Sequence, residues 1–329
     1  MNRFLIYGEQ VTRRLTFQKY HSRQELKILD HIKNKIFGIA IDAGSGLEKA
    51  LKDARKSKSK KSDLETFKKS IISSLGEHAT TVLIDSNFGP NLISKFPKNC
   101  SPMMAYEADV YHISDTDRIT KLPDNISISD FSKLGYKVLK FFMYYAPNDS
   151  STINRKKETI IENIGKECKA NNISFLMEPL VYDPVKRHGT LDYAFLKPKL
   201  VERATKIFSD PKYNINFLKV EVPIDLSFVE GFGDPIMKQS EAIKCFQDAS
   251  DAAGDIPLLY LSAGVSFEWF KASLKMAIEA KVNCSGFMCG RAIWSEAIGV
   301  FGEHGENDLV HWLDTVGKQR LKELISLFD

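Results

Sequence analysis

The chain has 329 residues, which allows one large domain or two of about 150 residues each. With 43% hydrophobic and 27% charged residues it can build a core of normal size without a stabilising staple. The net charge of +4 suits an anionic small molecule and does not call for nucleic acid. Met1 to Gln24 lacks the apolar core of a signal peptide, and no run of about 18 apolar residues predicts a membrane span. The five scattered cysteines (Cys100, Cys168, Cys245, Cys284, Cys289) contain no C-x-x-C, so neither a disulfide framework nor a zinc knuckle is expected. A reducing cytoplasm fits this usage.

Residues 1–35 are expected to form an N-terminal helical extension across the bottom of the domain that follows. Eight apolar runs of strand length then recur: Ile36–Asp42, Thr81–Asp85, Pro102–Glu107, Val138–Tyr145, Ser174–Tyr182, Phe217–Pro223, Leu258–Gly264 and the shorter Ser285–Gly290. Most are continuous, the pattern of parallel strands buried on both faces. Between the first two runs, Lys52–Lys61 is a basic stretch that reads as a solvated loop, since no aromatic residues interleave for nucleic-acid binding. Ser62-x-x-Glu65 predicts a capping box opening a helix with the stripe Leu64, Phe67, Ile71, Ile72, Leu75. Ile153, Ile160, Ile161 and Ile164 predict another, and Leu309, Trp312, Leu313, Val316, Leu321, Leu324 and Ile325 a closing helix. Strand and helix alternating eight times predicts the α/β class: a single (β/α)8 TIM barrel over residues 36–329.

In such a barrel the C-terminal strand ends line the site, so charged residues stranded in or beside apolar strands need an explanation. They are Asp42, Asp85, Glu107, Lys140, Glu178, Lys219, Glu221 and Arg291. Lys219 sits mid-strand between Leu218 and Val220. A neutral amine there can form a Schiff base with a ketone, and burial beside a cation such as Lys140 favours the neutral form. The alternative is a structural salt bridge to Glu178 or Glu221. Glu178, one strand away, is a candidate proton shuttle with the same alternative. Asp42 is a candidate base, or equally the N-cap of the following helix. The turns Ser262-Ala263-Gly264 and Gly290-Arg291-Ala292 close strands seven and eight, the recurrent phosphate position of these barrels. The histidines (His21, His31, His78, His112, His188, His304, His311) lack metal-ligand spacing, which favours a lysine mechanism over a zinc one.

Long strings carry a resemblance: Phe208-Ser209-Asp210-Pro211, Leu218-Lys219-Val220-Glu221-Val222-Pro223, Val229-Glu230-Gly231-Phe232-Gly233, Tyr260-Leu261-Ser262-Ala263-Gly264-Val265-Ser266 and Cys289-Gly290-Arg291-Ala292. With them the chain resembles the class I tagatose 1,6-bisphosphate aldolases of bacterial lactose and galactose catabolism. The resemblance implies Lys219 as Schiff-base former, Glu178 as proton shuttle, Lys140 as an active-site lysine, and Leu261, Ser262, Gly264, Gly290 and Arg291 as phosphate-binding turns. It implies a phosphorylated ketose substrate, D-tagatose 1,6-bisphosphate first among them, cleaved to dihydroxyacetone phosphate and glyceraldehyde 3-phosphate. No metal or organic cofactor, nucleic acid or membrane is implied, and a homo-oligomer is compatible. The family usually reads Gln-Arg-Gly after the strand-one aspartate, whereas Asp42 is followed by Ala43-Gly44-Ser45. That departure leaves open a related ketose phosphate such as a sulfofructose phosphate, or a sugar-phosphate sensor without turnover.

Overall fold

A computed structural model describes residues 35–56, 60–109, 113–114 and 116–329. The helical extension expected over 1–35 lies, but for Lys35, outside the described residues. Eight parallel strands close into a barrel in sequence order: β1 (Ile36–Ile41), β2 (Thr81–Ile84), β3 (Ser101–Ala105), β4 (Val138–Tyr145), β5 (Ser174–Val181), β6 (Phe217–Glu221), β7 (Leu258–Leu261) and β8 (Cys284–Cys289). The expected barrel is therefore the observed one. Seven strands end one to three residues before the apolar runs do; β4 alone keeps both expected ends. The trimmed ends matter, because they place Asp42, Asp85 and Glu107 on the loops just beyond β1, β2 and β3.

Helices α1 (Ser45–Arg55), α2 (Lys61–Leu75), α3 (Ser151–Ala170), α4 (Leu191–Phe208), α5 (Gln239–Ala253) and α6 (Phe267–Glu279) cover the outside. Their apolar stripes bury Leu64, Phe67, Ile71 and Leu75 from α2, and Ile161 and Ile164 from α3. Ile153 and Ile160, expected in the α3 stripe, are half-buried; Asn154 and Lys157 take inner positions instead. Their nitrogens find acceptors there, Asn154 Nδ2 donating to the Ala146 carbonyl at 3.0 Å and Lys157 Nζ to the Tyr182 hydroxyl at 3.1 Å.

Two local expectations are corrected. Lys52–Arg55 are the last turn of α1 rather than loop, because Leu47 and Leu51 bury a face that carries the helix on to Arg55. Arg55 is spent there, on Asp63 at 2.8 Å and over the Phe301 ring. The cap of α2 begins two residues earlier than Ser62-x-x-Glu65 suggests: Asp63 accepts from the Lys60 backbone N–H at 2.8 Å. At the C-terminus the apolar pattern spans α7 (Ala297–His304), α8 (Glu306–Trp312) and α9 (Lys318–Ile325). A π-turn at Leu313–Gly317 separates the last two and shifts the register, so that Leu309, Leu313, Leu321 and Leu324 are buried while Val316 faces out.

The barrel closes where β8 returns to β1. Trp294 Nε1 donates to the Ala40 carbonyl at 3.0 Å, and a Cβ on Gly290 would come within 2.3 Å of that same oxygen. Glycine at 290 is thus a condition of closure.

Candidate active site

Side chains alternate across a strand, so Lys140, Phe142 and Tyr144 of β4 share one face. So do Leu176 and Glu178 of β5, and Lys219 and Glu221 of β6. Phe142 pairs with Glu178, and Met177 with Leu218, which brings Glu178 level with Lys219. The result is a chain of charges at the upper end of the barrel. Glu178 Oε1 lies 3.0 Å from Lys219 Nζ, and its Oε2 lies 2.9 Å from Lys140 Nζ. Lys140 also holds Asp42 Oδ2 at 2.8 Å and donates to Glu107 Oε1. The Lys140, Glu178, Lys219 and Glu107 side chains are 8% exposed or less; Asp42, at 19%, is the most open.

A buried charge costs free energy unless it is paired, and this cluster is paired throughout. Burial disfavours the Lys140 cation, but Asp42, Glu107 and Glu178 outweigh it and hold its affinity for a proton well above the ordinary lysine value. Burial likewise opposes ionisation of Asp42, yet Lys140 and Lys219 pull its carboxyl well below the usual range. Glu107 is the exception. Burial, reinforced by the charges of Asp42 and Glu178, pushes it up to about 7 against the pull of Lys140.

Asp42 is held from outside the cluster. Lys68 of α2, fully buried, donates to the Ile41 carbonyl at 2.5 Å, to the Ala43 carbonyl at 2.9 Å and to Asp85 at 2.6 Å. It clamps the peptide on both sides of Asp42 and accounts for Asp85. Glu221 turns away from Lys219: its Oε2 accepts from the Val181 N–H at 2.8 Å, which secures the end of β5. Asp85 and Glu221 thus belong to the frame of the site. Lys68 was hidden in the sequence, where it sits in the register of the Leu64–Ile72 stripe; a lysine at such a position is the signal.

The β7 and β8 turns meet. Glu221 pairs with Leu261, so Ser262 stands three residues above the level of Lys219, about 10 Å of strand rise. Ala263 and Gly264 have φ of 48° and 83°, and a Cβ on Gly264 would lie 2.9 Å from the Arg291 guanidinium carbon. Arg291 therefore stacks on a bare glycine, exposed and, among the described residues, without an ion pair. Leu261, Ser262, Gly264, Gly290 and Arg291 thus assemble as a cationic pole beside β8, whose Cys289 lies within the field of Lys219. The loops after β1, which borders β8, and after β3 carry Asp42, Glu107 and Asp109.

The turn Ala43-Gly44-Ser45 is shaped by Asp109. Its carboxylate accepts from the Ser45 N–H at 3.0 Å and from the Ser45 hydroxyl. A Cβ on Gly44 would come within 2.7 Å of that carboxylate, so a longer side chain at 44 and this placement of Asp109 exclude each other.

Among the described residues, no group of three or more His, Cys, Asp or Glu is arranged to hold a metal ion, and no helix is long and apolar enough to cross a membrane.

Residues 39–296 match the DeoC/LacD family aldolase profile. Tagatose 1,6-diphosphate aldolase of Listeria monocytogenes is 35% identical over 307 residues, covering 92% of this chain and 90% of that protein. The enzyme of the same name from Staphylococcus aureus is 34% identical over 309 residues, covering 92% and 94%. Among solved structures, a Plasmodium falciparum fructose-bisphosphate aldolase superposes with a TM-score of 0.67 at 13% identity, covering 88% of this chain and 89% of that one. An archaeal fructose-1,6-bisphosphate aldolase, solved with its catalytic lysine bound to the carbinolamine intermediate, gives 0.59 at 14% identity and coverage of 89% and 94%. The structural likenesses carry the fold.

Proposed function

Since this chain belongs to the DeoC/LacD family of aldolases, we propose that it is a class I enzyme in which Lys219 forms a Schiff base with a phosphorylated ketose. The observation that carries the reading is the buried pair of Lys219 and Glu178 at 3.0 Å, with Glu178 also touching Lys140. Glu178 is placed to take the proton from the Lys219 ammonium and return one to the carbinolamine hydroxyl as water leaves. Lys140 keeps a fixed positive charge between the carboxylates and stabilises whichever of them is ionised.

The C1 phosphate is assigned to the Ser262–Gly264 and Gly290–Arg291 turns, where Arg291 offers a two-point contact. The carbonyl carbon then lies near Lys219. Asp42, kept ionised by Lys140 and Lys219, accepts the C4 hydroxyl proton. The C3–C4 bond breaks, an aldehyde leaves, and the bonding pair passes into the protonated imine as an enamine. Protonation at C3 and hydrolysis release dihydroxyacetone phosphate and restore Lys219. The relatives are named for tagatose 1,6-diphosphate, which points to D-tagatose 1,6-bisphosphate as the first ketose to try.

Cleavage kinetics test the reading. Lys219→Ala should lose at least about 10³-fold in kcat on D-tagatose phosphates, as removal of a nucleophile does. Glu178→Gln should lose about 10²-fold or more while still binding substrate. Full activity in Lys219→Ala would remove the Schiff base from the account. Binding without turnover in the unaltered protein would favour a sugar-phosphate sensor.

A further inference from the structure

We propose that Arg118 is a specificity-determining residue that receives a second phosphate at the end of the ketose remote from Arg291; this deepens the aldolase reading above and rests on it. Arg118 lies on the loop between β3 and β4, but it stands over the ends of β4 and β5. Its guanidinium carbon is 4.5 Å from the centre of the Tyr182 ring and 5.7 Å from that of Tyr144. In the closed strand order β4 is four strands from β8 in either direction. Arg118 and the Arg291 turn, which follows β8, therefore occupy opposite sides of the mouth.

A run of rings joins Arg118 to the catalytic cluster. Lys140 Nζ lies 4.9 Å from the centre of the Phe142 ring, Phe142 meets Tyr144 edge-on at 5.6 Å, and Tyr144 meets Tyr182 at 6.5 Å. Lys140, Phe142 and Tyr144 share the inner face of β4. Phe142 is level with Lys219 through Glu178, so Tyr144 stands two residues higher, about 7 Å of strand rise. Arg118, on top of Tyr144, and the Ser262 and Arg291 turns thus both lie above the reactive amine, with the mouth between them.

The guanidinium is placed but not used. Half-buried, it donates no hydrogen bond and makes no ion pair among the described residues. The nearby acids are engaged elsewhere: Asp149 accepts from the Tyr182 hydroxyl at 2.6 Å and from the Ser150 N–H at 2.7 Å, and Asp117 from the Ile119 N–H at 3.2 Å. The loop fixes the group from behind. Arg118 has a φ of 49°, in the left-handed region that is costly for a residue with a Cβ, and its N–H donates to the Ser114 carbonyl at 3.0 Å. Ring stacking covers a face of the guanidinium and leaves its edge of N–H donors, a planar fork that matches a phosphate at two points. Other cations at the cluster are committed, Lys140 to three carboxylates and Lys68 to Asp85 and two carbonyls. A ketose phosphorylated at C1 and C6 satisfies both arginines at once; one phosphorylated at C1 alone leaves Arg118 without a partner.

The test compares kcat/KM for D-tagatose 1,6-bisphosphate and D-tagatose 1-phosphate in the unaltered protein, Arg118→Gln, Arg118→Lys and Arg187→Gln, the last altering an exposed arginine of the loop after β5. The unaltered protein should favour the bisphosphate. Arg118→Gln should cut that preference by about 10- to 100-fold, through KM for the bisphosphate, the size expected for a lost charge-assisted contact. Arg118→Lys keeps the charge without the fork and should recover part of it. High salt should narrow the preference in the unaltered protein. A role confined to holding the loop would lower both substrates alike. That result, a preference for the monophosphate, or an equal shift in Arg187→Gln would overturn the proposal. Solvent deuterium exchange into dihydroxyacetone phosphate, which has no far end, separates the two readings. Exchange by the unaltered protein together with an unmoved ratio in Arg118→Gln overturns the role of Arg118 alone; no exchange by the unaltered protein overturns the aldolase reading with it.

Discussion

Glu107 and Asp42 share one ammonium yet diverge in acidity, and the reason is position. Asp42 feels both Lys140 and Lys219, whereas Glu107 is buried with Asp42 and Glu178 as like-charged neighbours. Glu107, pushed up to about 7, binds more protons folded than unfolded between its ordinary value of 4.5 and 7. Its contribution to stability is therefore fully present below pH 4.5 and is lost as pH rises through about 7. Glu107→Gln should remove that loss, so the variant's stability relative to the unaltered protein rises from pH 5 to pH 8 in denaturant titrations; a parallel pair of curves would deny the shift. The pH profile of kcat should lose an inflection near 7 in the same variant. Asp42, Glu107, Lys140, Glu178 and Lys219 were all visible in the sequence as charges stranded among apolar residues. What was not visible is that Glu178 stands between the two lysines. Pairing register set that arrangement, and no single strand's residue pattern reports it. Lys157 was hidden for the same reason as Lys68. Each is a lysine on the buried face of a helix, where an apolar stripe leads one to pass over it. Lys157 donates to Tyr182, whose hydroxyl in turn donates to Asp149 at 2.6 Å, and burial lowers the Lys157 ammonium to about 8.

At the scale of elements, α2 acts on the site through one side chain. Lys68 reaches the β1 end and binds the carbonyls of Ile41 and Ala43, so the direction of Asp42 depends on a helix that touches no substrate. Removing the ammonium leaves Asp85 buried without its cation. Lys68→Met should cost about 3–5 kcal/mol in denaturant unfolding, and Lys68→Met with Asp85→Leu should recover much of it. The double variant separates the two roles: with stability restored, a persisting fall in kcat at unchanged KM would mark loss of Asp42 positioning, and full activity would show that the clamp is structural only. The helices themselves were legible as stripes, since burial of one face imposes the period. Their ends were less so. The start of α2 hangs on which carboxylate, Asp63 or Glu65, turns back to the chain. The π-turn at Leu313–Gly317 likewise breaks a stripe that reads as continuous, and leaves Val316 outside.

Across the whole molecule, the barrel brings residues from seven strand ends, β1 and β3 to β8, onto one rim, and closure at β8–β1 sets the turn of Arg291 beside the end of β1. Gly290 lies at that seam. Gly290→Ala should press a methyl group on the Ala40 carbonyl, cost about 1–3 kcal/mol in stability, and raise KM for any C1-phosphorylated ketose by moving Arg291. The barrel was legible because eight buried parallel strands leave eight apolar runs; the hold of Asp109 on Ser45 was not, because Asp109 lies in a loop with no periodicity and its partner stands 64 residues earlier. The central claim is that Lys219 is the covalent centre of this rim. Reduction with borohydride in the presence of dihydroxyacetone phosphate, followed by peptide mass mapping, tests it directly. The account predicts one glyceryl-phosphate adduct on the peptide carrying Lys219, absent without the ketone and absent in Lys219→Ala; an adduct on another lysine, or none with active protein, would contradict it.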